Sequence, residues 1–115
     1  MKTTSSFNVQ IWCGLRSGYE GSNMNIKIAE DICSDFTNEV KCCVTITPTR
    51  FLYVDGREDG FVVGLINYPR FPSNNYDITE RAVELGKRLM KRLQQYRITI
   101  TTPTVSIMLE EEDLK

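Results

Sequence analysis

The chain has 115 residues, 41% hydrophobic and 25% charged, with a formal charge of −1 and no histidine. That is enough sequence for one domain with a sizeable core, and a charge near zero leaves no basic footprint for phosphate backbones. The missing imidazole removes Ser-His-Asp and Cys-His catalysis, the common zinc ligand sets, and the side chain that titrates nearest neutrality.

A single domain over residues 1–115 is expected, with its core at about 7–109 and an acidic, solvated tail at 110–115, "EEEDLK". The opening "MKTTSSFN" has no apolar stretch of the secretory kind. No window reaches the ~18 apolar residues of a membrane span. The expectation is a cytoplasmic protein without membrane contact.

Residues 7–15, "FNVQIWCGL", alternate with Phe7, Val9, Ile11, Cys13 and Leu15 on one face, which is the period of a strand. A glycine-rich turn, "RSGYEGSN", follows. Ala29, Ile32, Cys33, Phe36 and Val40 then keep helical spacing, with the cap at Ser22, Asn23 or Asn25. "CCVTITPTRFLYV" (42–54) is rich in β-branched and aromatic residues and reads as a strand. "DGREDG" reads as the turn of a hairpin that returns through "FVVGLINY".

Two prolines bracket Arg70 and Phe71 in "NYPRFP". Each biases its predecessor toward extended geometry, so the stretch is a stiff corner. Phe71 is expected to staple the next helix to the sheet, leaving Arg70 pointing outward. Asp77 and Glu80 give a D-x-x-E start to that helix, which runs through Ile78, Ala82, Leu85, Leu89 and Leu93. Gly86 on its apolar side predicts close approach to the sheet. "RITITTPTVSIML" (97–109) reads as the last strand.

The order β-α-β-β-α-β predicts an α+β, ferredoxin-like fold: a four-stranded antiparallel sheet, spatial order 4-1-3-2, with two helices on one face. Thr-Pro-Thr recurs in the second and last strands, and proline belongs on edge strands, where that topology puts Pro48 and Pro103. The four cysteines (Cys13, Cys33, Cys42, Cys43) include no C-x-x-C. A vicinal disulfide would be strained, so reduced thiols are expected, with no metal and no cofactor.

Helices on one side leave the other face of the sheet open, carrying Trp12, Ile66 and Tyr68. An apolar patch of that kind calls for cover, so a homo-oligomer is expected, with Trp12, Ile66, Tyr68 and Arg70 at its interface. Stacking of RNA bases on such a face is the competing reading. It lacks a basic-aromatic consensus, so nucleic acid is not the expected partner. In the first loop Arg16, Ser17, Tyr19, Ser22 and Asn23 gather before a helix N-terminus, with Arg57 brought close by the hairpin. Arginine pairs with phosphate or carboxylate, and glycines admit close backbone approach. A small anionic, nucleotide-like ligand fits that composition; a plain surface turn would show it as well.

"TPTRFLYVDGREDGFVVGLINYPRFP", followed by a helix and "RITITTP", resembles small accessory proteins encoded by tailed bacteriophages. The resemblance implies expression in a host cytoplasm and carries no functional residue with it. Acylphosphatases share the expected fold and place an arginine in the first loop. "CGLRSGYEG" departs from their pattern, and strand two has no matching asparagine. The expectation is therefore a non-enzymatic, homo-oligomeric binding or regulatory protein, with a host protein or small anion held at a subunit interface. A histidine-independent enzyme of acylphosphatase type is the alternative.

Overall fold

The computed structural model describes residues 1–17, 21 and 23–115. Strand β1 (Asn8–Gly14) leads to helix α1 (Ile26–Val40), then to β2 (Thr45–Tyr53) and β3 (Gly56–Ile66). Helix α2 (Asn75–Arg92) follows, then β4 (Arg97–Thr101) and β5 (Ser106–Glu110), with a closing 3-10 turn over Glu111–Leu114. The sheet is antiparallel with order β2-β3-β1-β4-β5. The expected order 4-1-3-2 is present within it, and a fifth strand lies outside β4. The α+β class stands; the count of four strands is corrected to five.

The correction comes from "TITTPTVS". Thr102 folds the chain back: its N–H donates to the Val105 carbonyl at 2.9 Å, and its Oγ1 accepts from the Thr104 and Val105 N–H groups. Proline lacks an N–H, so Pro103 sits in this turn rather than on an edge strand. Pro48 does lie on an edge, since β2 is the outer strand beside β3. The exposed acidic C-terminal residues form a closing turn. The Glu110 N–H binds the Asp113 carboxylate at 2.8 Å, and Leu114 packs against the core.

Both helices start on asparagine caps. Asn25 accepts from the Lys27 N–H and Asn74 from the Asp77 N–H, so the second helix begins ahead of the expected Asp77. The core forms where one face of the sheet meets the helices: Val9, Ile11, Cys13, Phe61, Val63 and Ile100 against Ala29, Phe36, Ala82, Leu85 and Leu89, all at most 1% exposed. Full burial stabilises each large side chain by about 1.5–3 kcal/mol. A methyl at Gly86 would meet the Ile98 side chain at 2.9 Å and those of Ile100 and Leu109 at 3.2 Å, the close helix–sheet approach that glycine predicted.

The proline corner is pinned by Asn67. Its side-chain amide donates to Thr4 Oγ1 at 3.2 Å and the Ser5 carbonyl at 3.0 Å, and its Oδ1 accepts from the Ser73 N–H at 2.9 Å. Phe71 does not staple the helix: it is 56% exposed, with Arg70 5.9 Å over its ring. Asn67→Ala is expected to destabilise the fold by about 1–3 kcal/mol, because it leaves polar groups around a buried amide without partners. An unchanged denaturant midpoint would show that the corner holds without it.

Candidate functional site

The β2–β3 hairpin turns on Val54 and Asp55 alone, with Asp55 in the left-handed region at φ 59°, which aspartate tolerates. Strand β3 therefore starts at Gly56, and "REDG" is strand rather than turn. This extension carries Arg57, Glu58 and Asp59 alongside the end of β1, where the Leu15 N–H donates to the Asp59 carbonyl at 2.9 Å. Strand alternation then sends Glu58 to the open face, while Arg57 and Asp59 project toward the helix side.

Glu58 lies directly over Gly14. A methyl there would stand 2.3 Å from Glu58 Oε2, so only glycine leaves room for this carboxylate. The same oxygen accepts from the Arg16 N–H at 3.2 Å. Arg16 is held three more ways. Its guanidinium donates to the Arg57 carbonyl at 3.0 Å, its carbonyl accepts from Gln95 Nε2 at 2.6 Å, and it pairs with Asn23 across the loop. Ser17 donates to the Gln94 side chain. Four of the six expected ligand residues (Arg16, Ser17, Asn23 and Arg57) thus gather at one end of the sheet. Tyr19 and Ser22 lie outside the described residues.

Arg16, Asn23, Arg50, Arg57, Glu58 and Asp59 line a polar cleft of about 280 Å³. It adjoins an apolar hollow of about 500 Å³ under Leu15, Met24, Ile26 and Pro48, which shares the Arg50–Asp59 ion pair as its border (3.2 Å). Guanidinium and carboxylate groups beside an apolar wall suit a ligand with charges of both signs and a flat apolar part. Sequence reasoning missed Glu58, Asp59, Arg50 and Gln95. The Asp55-Gly56 pair did signal a tight hairpin, although the two loop residues are Val54 and Asp55 and Gly56 already belongs to β3.

The cysteines offer no nucleophile here. Burial pushes the Cys13 thiol well above its ordinary range, with the Glu58 carboxylate adding to the effect, and burial pushes Cys33 up to about 11. All four cysteines are free. Among the described residues no three metal-binding side chains converge and no helix is long and apolar enough to cross a membrane.

The four expected interface residues run from the open face to the proline corner. Trp12 is half-buried on the open face and donates to Thr101 Oγ1 at 3.0 Å. Strand register sets it in a row with Thr47, Val62, Thr99 and Met108. Ile66 is 43% exposed at the end of β3. Tyr68 and Arg70 belong instead to the corner: the Tyr68 ring stands 5.9 Å from Phe71, and its hydroxyl accepts from the Cys43 thiol at 3.4 Å.

No protein family and no curated protein matches the sequence. Two solved structures share the fold. A phage SAM lyase in complex with S-methyl-5′-thioadenosine superposes with a TM-score of 0.82, covering 97% of this chain and 95% of its own at 14% identity. A phage SAM lyase in the apo state gives 0.75, with 92% and 90% coverage at 16% identity. Both neighbours are phage proteins, in keeping with the phage character read in the sequence. Both are enzymes, which overturns the expectation of a non-enzymatic binding or regulatory protein.

Proposed function

We propose that this protein cleaves S-adenosylmethionine and releases S-methyl-5′-thioadenosine. The observation that carries this reading is a fold shared over nearly the whole of both chains with a phage SAM lyase holding that thioadenosine. The cleft chemistry supports it. S-adenosylmethionine bears a sulfonium and an ammonium, which suit the Glu58 and Asp59 carboxylates, and a carboxylate, which suits Arg16 or Arg57. Its adenine matches the apolar hollow beside them.

The reaction also suits a chain without histidine. A lyase breaks the carbon–sulfur bond without water; both electrons of that bond go to sulfur, which leaves as a neutral thioether. No proton need be supplied to the leaving group, so no general acid is required. The substrate's own carboxylate can furnish the electron pair at the carbon that loses sulfur. The protein's part is to fold the substrate into that geometry and hold its charges.

The test is direct. Purified protein incubated with S-adenosylmethionine should form S-methyl-5′-thioadenosine, followed by chromatography, far above the spontaneous rate. S-adenosylhomocysteine, whose neutral sulfur would have to leave as a thiolate, should not be cleaved at the same bond and should give no 5′-thioadenosine. Product at no more than the spontaneous rate sinks the reading.

Self-association through the open face belongs to the same proposal. Ile66 and the 51% exposed Met108 lie on the same face as Trp12, and a second copy would cover them. Light scattering should show more than one chain per particle; a monomer at all concentrations would remove this part.

A further inference from the structure

At the other end of the sheet, the C-terminus of α1 and the proline corner enclose a second cavity, of about 180 Å³. Its walls include Leu65, Phe71 and Ile78, and its polar lining comes from Lys41, Arg81, Ser73, Tyr68, Cys42 and Cys43. No acidic residue lines it. Arg81 is half-buried, and one guanidinium nitrogen donates to Ser73 Oγ at 3.0 Å. Among the described residues no carboxylate stands within 4.0 Å of its guanidinium, whereas Arg50 has one such partner and Arg88 two.

A cation drawn partly out of water without a counter-charge is disfavoured, and an anion entering the cavity would relieve that. The walls are already set. Asn67 pins the corner to the N-terminal segment, and the prolines stiffen it. The Tyr68 phenol is pushed up to about 12, first by its hydrogen bond with Cys43 and then by burial, so it stays protonated at neutral pH.

We propose that this cavity is a second ligand site, distinct from the cleft at Glu58, that takes a small carboxylate with a short apolar body. Arg81 and Lys41 bind the charge, Ser73 and Tyr68 offer hydroxyls, and Leu65, Phe71 and Ile78 contact the hydrocarbon. The volume admits a chain of a few carbons and excludes a nucleoside, for which pockets of roughly 300 Å³ and more are usual. This site does not rest on the lyase reading.

Cys43, exposed at the rim, reports on occupancy. Iodoacetate and iodoacetamide both alkylate a thiolate by displacing iodide, but only the first carries a carboxylate. The ratio of their rates at Cys43, measured by peptide mass spectrometry, should be about tenfold higher in the folded protein than in Arg81→Gln. Lys41→Gln should lower it in part. Millimolar pentanoate should slow iodoacetate at Cys43, and pentylamine should not. Equal ratios in the native protein and a folded Arg81→Gln would overturn the proposal, as would failure of pentanoate to protect. If Arg81→Gln does not fold, Lys41→Gln and the pentanoate competition decide the matter on the same criteria.

Discussion

Glu58→Gln is expected to lower the rate of S-adenosylmethionine cleavage by about 10²-fold or more, the usual effect of removing one preorganised charged group from a site. The substitution is chosen to isolate charge. Glutamine keeps an oxygen that can accept from the Arg16 N–H, as Glu58 Oε2 does at 3.2 Å, and keeps the shape that fits over Gly14. Folding should hardly change, and the melting temperature checks that. Asp59 isolates charge less cleanly, because its half-exposed carboxylate is already paired with Arg50 and its loss would also free that guanidinium. A Glu58→Gln variant within threefold of the native rate, a difference of roughly 0.7 kcal/mol in the barrier, would remove Glu58 from the site while leaving lyase activity itself open to the direct assay.

The largest loss of stability should come from Phe36→Ala, at about 3–5 kcal/mol. Phe36 is 1% exposed on α1, and the Arg88 guanidinium from α2 lies 5.1 Å over its ring. Arg88 also bonds Glu39 on α1 and Glu84 on its own helix. These ion pairs are largely solvated, so the ring rather than the charges joins the two helices. At about 4 °C per kcal/mol for a domain of this size, the melting temperature should fall by roughly 12–20 °C. Phe71→Ala should cost under about 1 kcal/mol, since that ring is already 56% exposed. Equal losses at the two positions would mean that burial does not set their contributions.

The order of helices and strands was legible because it is written in local periods. Val9, Ile11 and Cys13 repeat every second residue, while Ile78, Ala82, Leu85 and Leu89 repeat at helical spacing, and the structure buries all seven. Those periods need only a face to be buried, whatever buries it. From them follow the two helices on one side, the order β2-β3-β1-β4, and the meeting of Arg16 with the hairpin near Arg57.

Tertiary structure alone decided the rest. Residues 97–109 are β-like apart from Pro103, which an edge strand also tolerates, so their division into β4 and β5 depended on the hydrogen bonds that Thr102 makes. Glu58 became a site residue only when pairing of β3 with β1 let its side chain reach over Gly14, 44 positions away in the numbering. Gln95 reached the Arg16 carbonyl across a separation of 79 residues. Polar contacts of this range leave no periodic trace, because hydrogen bonds act over about 3 Å between groups that only the folded chain brings together. Apolar burial is non-directional and tolerates any partner, which is why pattern reveals a core and does not reveal a cleft.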